Sequence, residues 1–456
     1  MLTTAALARF TSCLKLADLP LDVMMRARLL VLDCVGNAVR ARRDSESTPA
    51  LLAAVRSLGL AHGKARVFAD PEGYTPAGAV LVNATLAHSL DFDDTHAAAI
   101  VHPAASIVPA ALAAAEMTDA SGAETLTAIV AGYEVALRLA LELPAGAHYH
   151  RGFHPSATCG VFGAAASAAR VFGLNESDTA SAFGIALSQA AGSLQFLANG
   201  AWTKRFQVGW ASMGGFVAAT LAREAFKGAE QPIEGRYGFL RCYAGESQPS
   251  RAMQDIGQIW ELMQTGVKPY PSCRWGHAGI DAAIALREEL ELRVEDIKAV
   301  TLGISRAGMS LVGEPADRKI NPANIVDAQF SGPFVIAIAL ATGKMEWDSY
   351  RLLKDPAIHA LMARIRCEND PEMEAEFPSN MSGRLIVKSR GETFTKTVIV
   401  PKGEPANFPS DSELSAKYSG LVDPVIGATA GAKLAKAVLE LDRLEHAASL
   451  LKEGAC

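Results

Sequence analysis

The stretch TLTAIVAGYEVALRLALEL, residues 125–143, decides the fold because small and apolar residues recur in it at helical spacing. A segment that is apolar nearly all round is expected to be buried on several sides. Alanine favours the helix and lets neighbouring helices approach closely. The same pattern fills three further stretches, AGAVLVNATLAHSL (77–90), HPAASIVPAALAAAEM (102–117) and ATCGVFGAAASAARVFGL (157–174). Most of the chain before residue 266 therefore predicts helices.

The pattern changes near VKPYPSCRWGH (267–277), where prolines interrupt helical continuity. A helical run at 278–292 is followed by IKAVTLGIS (297–305), which predicts a strand, and residues 383–401 predict a β-hairpin. After KGEPANFPSD (402–411) the pattern returns to helix.

The simplest architecture is mainly α: a large all-helical domain formed by both ends of the chain, with a smaller α+β lid domain inserted into it. The predicted boundaries are 1–267 and 404–456 for the helical domain and 268–403 for the lid domain. Clefts between such domains often bind small ligands.

The composition excludes several classes of partner. The chain has 456 residues with 43 Lys+Arg against 49 Asp+Glu, so it offers no electrostatic case for nucleic acid or an anionic membrane. No 18-residue apolar stretch and no signal-peptide pattern occur, so we expect a cytoplasmic protein. The 7 cysteines are widely spaced without a CxxC, which predicts buried free thiols rather than disulfides or a zinc ribbon.

The stretch LAHSLDFDDTH (86–96) is unusually rich in titratable groups and permits three interpretations. Its aspartates and threonine could cap helices and form turns. They could bind a divalent metal, as in helical prenyl-diphosphate synthases, but that chemistry needs a second aspartate-rich motif and the chain has no other Asp-Asp pair. The third interpretation is a proton-transfer and substrate-orienting site. Six of the ten histidines fall within residues 88–154, which favours this interpretation.

Two other segments carry candidate residues. In RGFHPSATCG (151–160), His154 precedes a proline at which a helix is predicted to begin, with Ser156 or Thr158 as its cap. A helix N-terminus beside a histidine suits a carboxylate, although a histidine that pins a loop is the structural alternative. Lys204 lies in an apolar helical stretch, where exposure on a solvated face is its structural alternative.

Other standard chemistries have no support in the sequence. The chain lacks a Gly-x-Gly-x-x-Gly after a strand, a Walker A motif and a Gly-x-Ser-x-Gly elbow. Dinucleotide binding, nucleotide hydrolysis and serine acyl transfer are therefore not predicted.

Seven segments together resemble the MmgE/PrpD family over nearly the whole chain. They are HSLDFDDTH, HPAASIVPAALAAAE, GYEVALRLA, GFHPSATCGVFGAAASAARVFGL, ALSQAAGSLQFLANGAWTKRFQVGWASMGG, KPYPSCRWGHAGIDAA and NPANIVDAQFSGPFVIAIAL. The resemblance implies a helical domain with an α+β lid, usually in a homodimer. It also implies a small di- or tricarboxylate substrate, no metal and no organic cofactor.

The resemblance also implies a set of site residues. As catalytic groups it implies Asp91, His102 and His154. As substrate-binding groups it implies Thr95, Lys204 and Lys268, to which Cys273 and His277 of the same segment are added. Physically, the lysines can neutralise carboxylates and the histidines can move a proton beside an enolate-like intermediate.

The family includes dehydratases, decarboxylases and epimerases. Its cis-aconitate decarboxylases have a histidine five residues after the lysine of the Lys-x-x-Pro segment, where this chain has Cys273. The gap from Thr95 to His102 is also one residue longer than in those enzymes. We therefore expect a cofactor-independent lyase that removes water from a hydroxy-polycarboxylate. An epimerase, a decarboxylase and a protein that only binds a carboxylate are the alternatives.

The motif gives one further expectation. If residues 91–95 are helical, Asp91 and Thr95 share a face while Asp93 and Asp94 point elsewhere. On that basis Asp93→Asn is expected to cost far less activity than Asp91→Asn.

Overall fold

The computed structural model describes residues 3–244 and 253–454, except the side chains of 145–147. The chain forms two compact units. The first unit contains residues 1–266 and 410–456, and the second unit contains residues 267–409. The mainly α class predicted from the sequence is confirmed.

The first unit consists mostly of helices. Their bounds are Thr3–Cys13, Leu21–Asp44, Thr48–Ser57, Pro76–Ala87, Ala104–Thr118, Gly122–Glu142, Ala145–His150, Pro155–Thr158, Gly160–Val171, Glu176–Leu187, Thr203–Arg223, Phe239–Tyr243, Asp411–Ile426, Ala428–Leu439 and Ala448–Gly454. Within the described part of the chain, no helix is both long and apolar enough to cross a membrane.

The helix Gly122–Glu142 lies in the core of this unit and begins with a capping box. Ser121 Oγ accepts from the Glu124 amide, and Glu124 Oε2 accepts from the Ser121 amide at 3.0 Å. A Cβ atom added at Gly132 would lie 2.6 Å from Ile107 Cγ2 and 2.8 Å from the Gly163 carbonyl oxygen. Small residues therefore let this helix pack closely against two neighbours, as the alanine-rich pattern predicted.

The expectation that the larger domain is entirely helical is wrong in detail. The first unit contains two short antiparallel strand pairs, Ala61–Arg66 with Gly73–Tyr74 and Thr95–His96 with Thr265–Gly266. Each pair joins segments that lie between helices, and the pairing supplies partners for their backbone N–H and C=O groups. Strands of two residues carry no periodicity that a sequence pattern could reveal.

The second unit is an α+β structure. Its helices are His277–Glu289, Arg306–Gly308, Ala316–Lys319, Ile325–Gln329, Gly332–Thr342, Pro356–Met362 and Pro371–Glu376. Its sheet has the order Ile365–Asn369, Ile297–Ile304, Gly383–Ser389 and Glu392–Val398. The first two strands are parallel and the other neighbours are antiparallel. The longest helices, His277–Glu289 and Gly332–Thr342, pack against this sheet.

The predicted strand at 297–305 and the predicted hairpin at 383–401 are confirmed. The hairpin pairs Ser389 with Glu392 around Arg390 and Gly391, which have φ values of 52° and 83°. A two-residue turn with both φ values positive matches the twist of the flanking strands.

Residues 404–409 differ from the expected boundary because they belong to the second unit. Glu404 accepts from the buried Arg274 guanidinium at 2.5 Å, and the Gly403 amide donates to the Asn407 carbonyl at 2.9 Å. These contacts attach the segment to the unit that contains Arg274.

The expectation of buried free thiols is partly wrong. Cys34, Cys159 and Cys273 are buried free thiols, but Cys13 and Cys242 are exposed and Cys367 is half-buried. The two exposed cysteines lie at or near the ends of the helices Thr3–Cys13 and Phe239–Tyr243. Cys456 lies outside the described residues.

The close helix packing gives a stability prediction. Gly132→Ala is expected to destabilise the protein by about 1–3 kcal/mol because its methyl group meets Ile107 and a backbone oxygen. The matched control is Gly420→Ala in the helix Asp411–Ile426, where an added Cβ meets nothing within 4 Å. Alanine at this position reduces the conformational entropy of the unfolded chain, so Gly420→Ala is expected to stabilise the protein by roughly 0.5–1 kcal/mol. Thermal unfolding measures both, and equal changes in Tm would contradict the packing argument.

Candidate active site

The DFDDTH segment is not helical. The helix Pro76–Ala87 ends before it, Asp91 has a left-handed φ of 52°, and Thr95–His96 forms a strand. The expected common helical face of Asp91 and Thr95 is therefore wrong. Aspartate is one of the few residue types that tolerate left-handed backbone, which lets the chain turn sharply at Asp91.

Asp93 lies at the centre of a buried histidine cluster. Its Oδ2 atom accepts a hydrogen bond from His88 Nδ1 at 2.6 Å, and both side chains are fully buried. Its Oδ1 atom lies 3.7 Å from His102 Nδ1. The expectation that Asp93 points away from the site is thus wrong, because it assumed a helix through these residues.

Asp94 has a structural role. Its carboxyl accepts from the amide of Ala104, the first residue of the helix Ala104–Thr118, and from the Tyr133 hydroxyl at 2.7 Å. Burial and the neighbouring Asp93 raise the pKa of Asp94 well above its ordinary value. The capping interpretation of the motif therefore holds for this aspartate.

The protonation of the His102 ring is fixed by its neighbours. Its Nδ1 atom lies 2.7 Å from the Asp94 carbonyl oxygen, which can only accept a hydrogen bond. Nδ1 therefore carries a proton, and in the neutral ring Nε2 has the lone pair. Thr95 Oγ1 lies 3.3 Å from the same Nδ1, and the His102 amide donates to Ser156 Oγ at 3.0 Å.

His154 is the N-cap of the short helix Pro155–Thr158, and its side chain makes no capping bond. The predicted caps are wrong: Ser156 accepts from the His102 amide instead, and Thr158 contacts His148. Binding of an anion at this N-terminus stays a prediction.

The rings of His154, His88 and His102 lie together. The centroid of His88 is 5.8 Å from that of His154 and 5.0 Å from that of His102. Burial, assisted by His88, Lys204 and His102, lowers the pKa of His154 well below its ordinary value. This ring is therefore neutral near pH 7.

Lys204 forms an ion pair with Asp91 Oδ1. Burial acts to lower the pKa of Lys204, but the Asp91 carboxylate more than offsets it, so the pKa is raised. The lysine side chain is 17% exposed, which excludes the alternative of a fully solvated charge. The cluster thus includes a protonated lysine, paired with Asp91, beside the histidines.

Among the described residues, His88, Asp93 and His102 form the group whose composition suits a metal ion, with ligand atoms within 4.8 Å of one another. Nδ1 of His88 is hydrogen-bonded to Asp93 at 2.6 Å, and His102 Nδ1 donates to a carbonyl oxygen. Since these two nitrogens are already used, only the Nε2 atoms of the two rings could bind a metal ion.

The remaining histidines of residues 88–154 lie outside this cluster. His96 Nδ1 accepts from the Ala99 amide at 3.1 Å, and its Nε2 lies 3.6 Å from Glu261. His148 contacts the Tyr243 carbonyl and Thr158, and His150 is exposed. Their density in the sequence therefore overstated the number of histidines in one site.

Lys268, Cys273 and His277 belong to the second unit. All three are buried, with exposed fractions of 2%, 7% and 0%. His277 Nε2 lies 3.2 Å from the Ser272 carbonyl, and its ring packs edge-on against Tyr270. These contacts favour a structural role for His277, and substrate binding by the three residues stays a prediction.

Two site residues were missed in the sequence. His88 stands in the same motif but was not assigned a role. Gln207, three residues after Lys204 on the helix Thr203–Arg223, donates to His154 Nδ1 at 2.9 Å. The spacing of three, which places two residues on one helical face, was the available signal.

This arrangement defines a helical enzyme with an acid–base site that also carries a lysine cation. Residues 5–252 match the MmgE/PrpD N-terminal domain, and residues 270–443 match the MmgE/PrpD C-terminal domain. The chain belongs to the MmgE/PrpD family, as the sequence resemblance predicted.

Similar proteins cover nearly the same length. The cis-aconitate decarboxylase-like protein oryM of Aspergillus oryzae is 26% identical over 98% of this chain and 96% of its own. A cis-aconitate decarboxylase of Aspergillus terreus is 25% identical over 98% of this chain and 95% of its own length. The cis-aconitate decarboxylase of Homo sapiens is 28% identical over 82% of this chain and 78% of its own length. The family and these relatives identify the chain as an enzyme of the lyase class.

The buried hydrogen bond between Asp93 and His88 reverses the expectation that Asp93→Asn costs little activity. Asp93→Asn is expected to lower kcat/KM by roughly 10- to 100-fold, because an amide cannot replace the charged acceptor of His88. Asp119→Asn makes the same chemical change at a surface position and is expected to have no effect. An Asp93→Asn enzyme that keeps full activity would remove Asp93 from the site.

Proposed function

We propose that the protein eliminates water from a small hydroxy di- or tricarboxylate, such as a 2-methylcitrate-like compound, without a cofactor. The observation that carries this proposal is the complementary protonation of two histidines that both lie beside His88. His102 has its lone pair on Nε2, whereas His154 accepts at Nδ1 and keeps its proton on Nε2. One ring can take a proton while the other donates a hydrogen bond.

Elimination beside a carboxylate proceeds through an enolate-like intermediate. In our proposal His102 Nε2 removes the proton from the carbon next to the carboxylate. The carbon–oxygen bond on the neighbouring carbon then breaks, and the leaving hydroxyl group takes the proton back from the His102 imidazolium. The products are an alkene and water, and His102 returns to its neutral form. The chemistry requires an ionisable group near neutrality, which histidine provides.

The charge of the site supports a carboxylate substrate. The Asp91 carboxylate raises the pKa of Lys204, so the lysine is protonated near pH 7 and can donate to a substrate carboxylate while it stays paired with Asp91. Asp91 holds the lysine in place through their ion pair. Negative charge that develops in the intermediate is stabilised most by donors that are already oriented in a buried site.

Decarboxylation of an unsaturated tricarboxylate is the second candidate. The observation in its favour is that relatives matching 98% of this chain are named cis-aconitate decarboxylases. The same His102 could protonate the carbanion that remains after CO₂ leaves. Cys273, which stands where those decarboxylases have a histidine, makes us place this reaction second.

The deciding experiment is proton NMR of the purified protein in D₂O with 2-methylcitrate, citrate, cis-aconitate and iminodisuccinate. We expect an alkene signal and loss of the hydroxy substrate, abolished in His102→Ala. His150→Ala, at an exposed histidine outside the cluster, is the control and should keep full activity. The reaction is expected to continue in excess EDTA, since the proposed proton transfers use no metal ion.

The other outcomes separate the alternatives. Release of CO₂ from cis-aconitate would replace dehydration by decarboxylation. Deuterium incorporation without net loss would indicate an epimerase. Binding of these acids without any turnover would contradict an enzymatic role and leave a carboxylate-binding protein.

We further propose that the protein acts as a cytoplasmic homodimer. Trp202, Phe206 and Trp210 are 42%, 42% and 40% exposed and lie four residues apart on one face of a helix, an arrangement typical of a buried interface. A second copy of the chain could cover this apolar stripe.

Light scattering after size-exclusion chromatography tests the homodimer. We expect a mass of twice 48.0 kDa for the protein and a shift toward 48.0 kDa for Trp210→Arg. Tyr237→Arg changes an aromatic residue that is 73% exposed elsewhere and should leave the dimer intact. A monomeric wild-type protein would contradict the proposal.

A further inference from the structure

Gln207 is held in one orientation by the backbone of Ser193. Its Oε1 atom accepts from the Ser193 amide at 2.7 Å, and its Nε2 atom donates to the Ser193 carbonyl at 3.1 Å. The oxygen and nitrogen of the side-chain amide are thereby distinguished, because exchanging them would place two acceptors together and two donors together.

The remaining hydrogen of this amide is directed at His154. Gln207 Nε2 lies 2.9 Å from His154 Nδ1. Since the amide nitrogen can only donate, Nδ1 must present its lone pair, and the proton of a neutral ring must be on Nε2. The backbone that orients Gln207 is itself fixed beside His154, because Phe153 pairs with Ser193 and the His154 amide donates to the Gly192 carbonyl.

The groups around the His154 ring keep it uncharged. Burial is the largest factor that disfavours a positive charge on this ring. His88, Lys204 from the helix Thr203–Arg223, and His102 act in the same direction, whereas Asp93 acts in the opposite direction. The ring of Phe196 packs edge-on against it and adds no charge. A second proton at Nδ1 would also face the N–H of Gln207, which is repulsive.

We propose that Gln207 is a positioning residue that holds His154 in the neutral form with its proton on Nε2, so that His154 donates a hydrogen bond to the substrate and does not act as the base. This role rests on the proposed function and assigns proton removal to His102. A neutral imidazole can stabilise an enolate oxygen in this way when its environment prevents its protonation.

Nitrogen-15 NMR of histidine-labelled, ligand-free protein tests the assignment without any substrate. In the wild type we expect His154, assigned from the loss of its signals in His154→Ala, to show a protonated Nε2 and an unprotonated Nδ1. In Gln207→Glu the carboxylate accepts instead of donating, so Nδ1 is expected to gain the proton. A wild-type ring protonated at Nδ1 would overturn the proposal whether or not a substrate has been found.

Kinetics test the consequence for catalysis. Gln207→Glu reverses the preferred tautomer, and we expect kcat to fall by roughly 10²- to 10⁴-fold. Gln207→Met only removes the hydrogen bond to His154 and does not favour the other tautomer, so a fall in kcat of about 10-fold or less is expected. A role of Gln207 in packing alone would give similar losses for both. Gln258→Glu, an exposed change of the same kind, should be silent.

The pH profile separates positioning from general damage. Because a carboxylate beside the ring favours the imidazolium, Gln207→Glu is expected to raise the pKa of His154. The imidazolium carries a proton on Nε2 again, so the loss of kcat in Gln207→Glu should become smaller as the pH falls through that pKa, whereas Gln207→Met should keep the wild-type pH dependence. An unchanged profile in Gln207→Glu, together with a reversed tautomer, would show that His154 is not a donor in the reaction.

Discussion

The structure of the site depends on one constraint: each buried aspartate carboxyl group needs a cation or hydrogen-bond donor to offset its loss of hydration. Asp91, Asp93 and Asp94 follow one another within four residues, and all are at most 5% exposed. An uncompensated charge in such a place costs several kcal/mol, so each needs its own partner. Asp91 pairs with Lys204, Asp93 with His88, and Asp94 with Tyr133 and the start of a helix. A continuous helix could not direct three adjacent side chains to three such different partners, and the left-handed turn at Asp91 provides the change of direction.

Close contacts between helices fix the positions of the aspartates and their partners relative to one another. At Gly209 the helix Thr203–Arg223 approaches the helix Pro76–Ala87, and a Cβ there would lie 2.0 Å from Thr85 Oγ1. At Gly215 the same helix approaches Gly160–Val171, where a Cβ would lie 2.3 Å from the Val161 carbonyl. One helix thus carries Lys204 and Gln207 and is packed against both the helix that ends at His88 and the helix that follows His154. The absence of side-chain bulk at these crossings is what brings the charged groups within hydrogen-bonding distance.

Helical periodicity and the later strand pattern were sufficient to predict the mainly α class and the hairpin around Arg390 and Gly391. The resemblance to the family implied Asp91, Thr95, His102, His154 and Lys204, which lie in the first unit. The local geometry could not be predicted, because it follows from partners distant in sequence. Asp93 was assigned to the wrong side because its partner His88 and the turn at Asp91 have no periodic signal. Gln207 was missed because an amide has no chemistry of its own and gains its role only from Ser193 and His154.

The two histidines of the proposed mechanism differ in how their tautomers are determined. The partner of His102 is the backbone carbonyl of Asp94, which every residue at that position would supply. The partner of His154 is the side chain of Gln207, which a single substitution can turn from a donor into an acceptor. The lone pair on Nε2 of His102 therefore follows from the path of the main chain, whereas the proton on Nε2 of His154 depends on residue 207. Environment rather than residue type assigns acid and base roles in such pairs. Within this scaffold, residue 207 is thus a position at which the protonation of the site can change without any change in the fold.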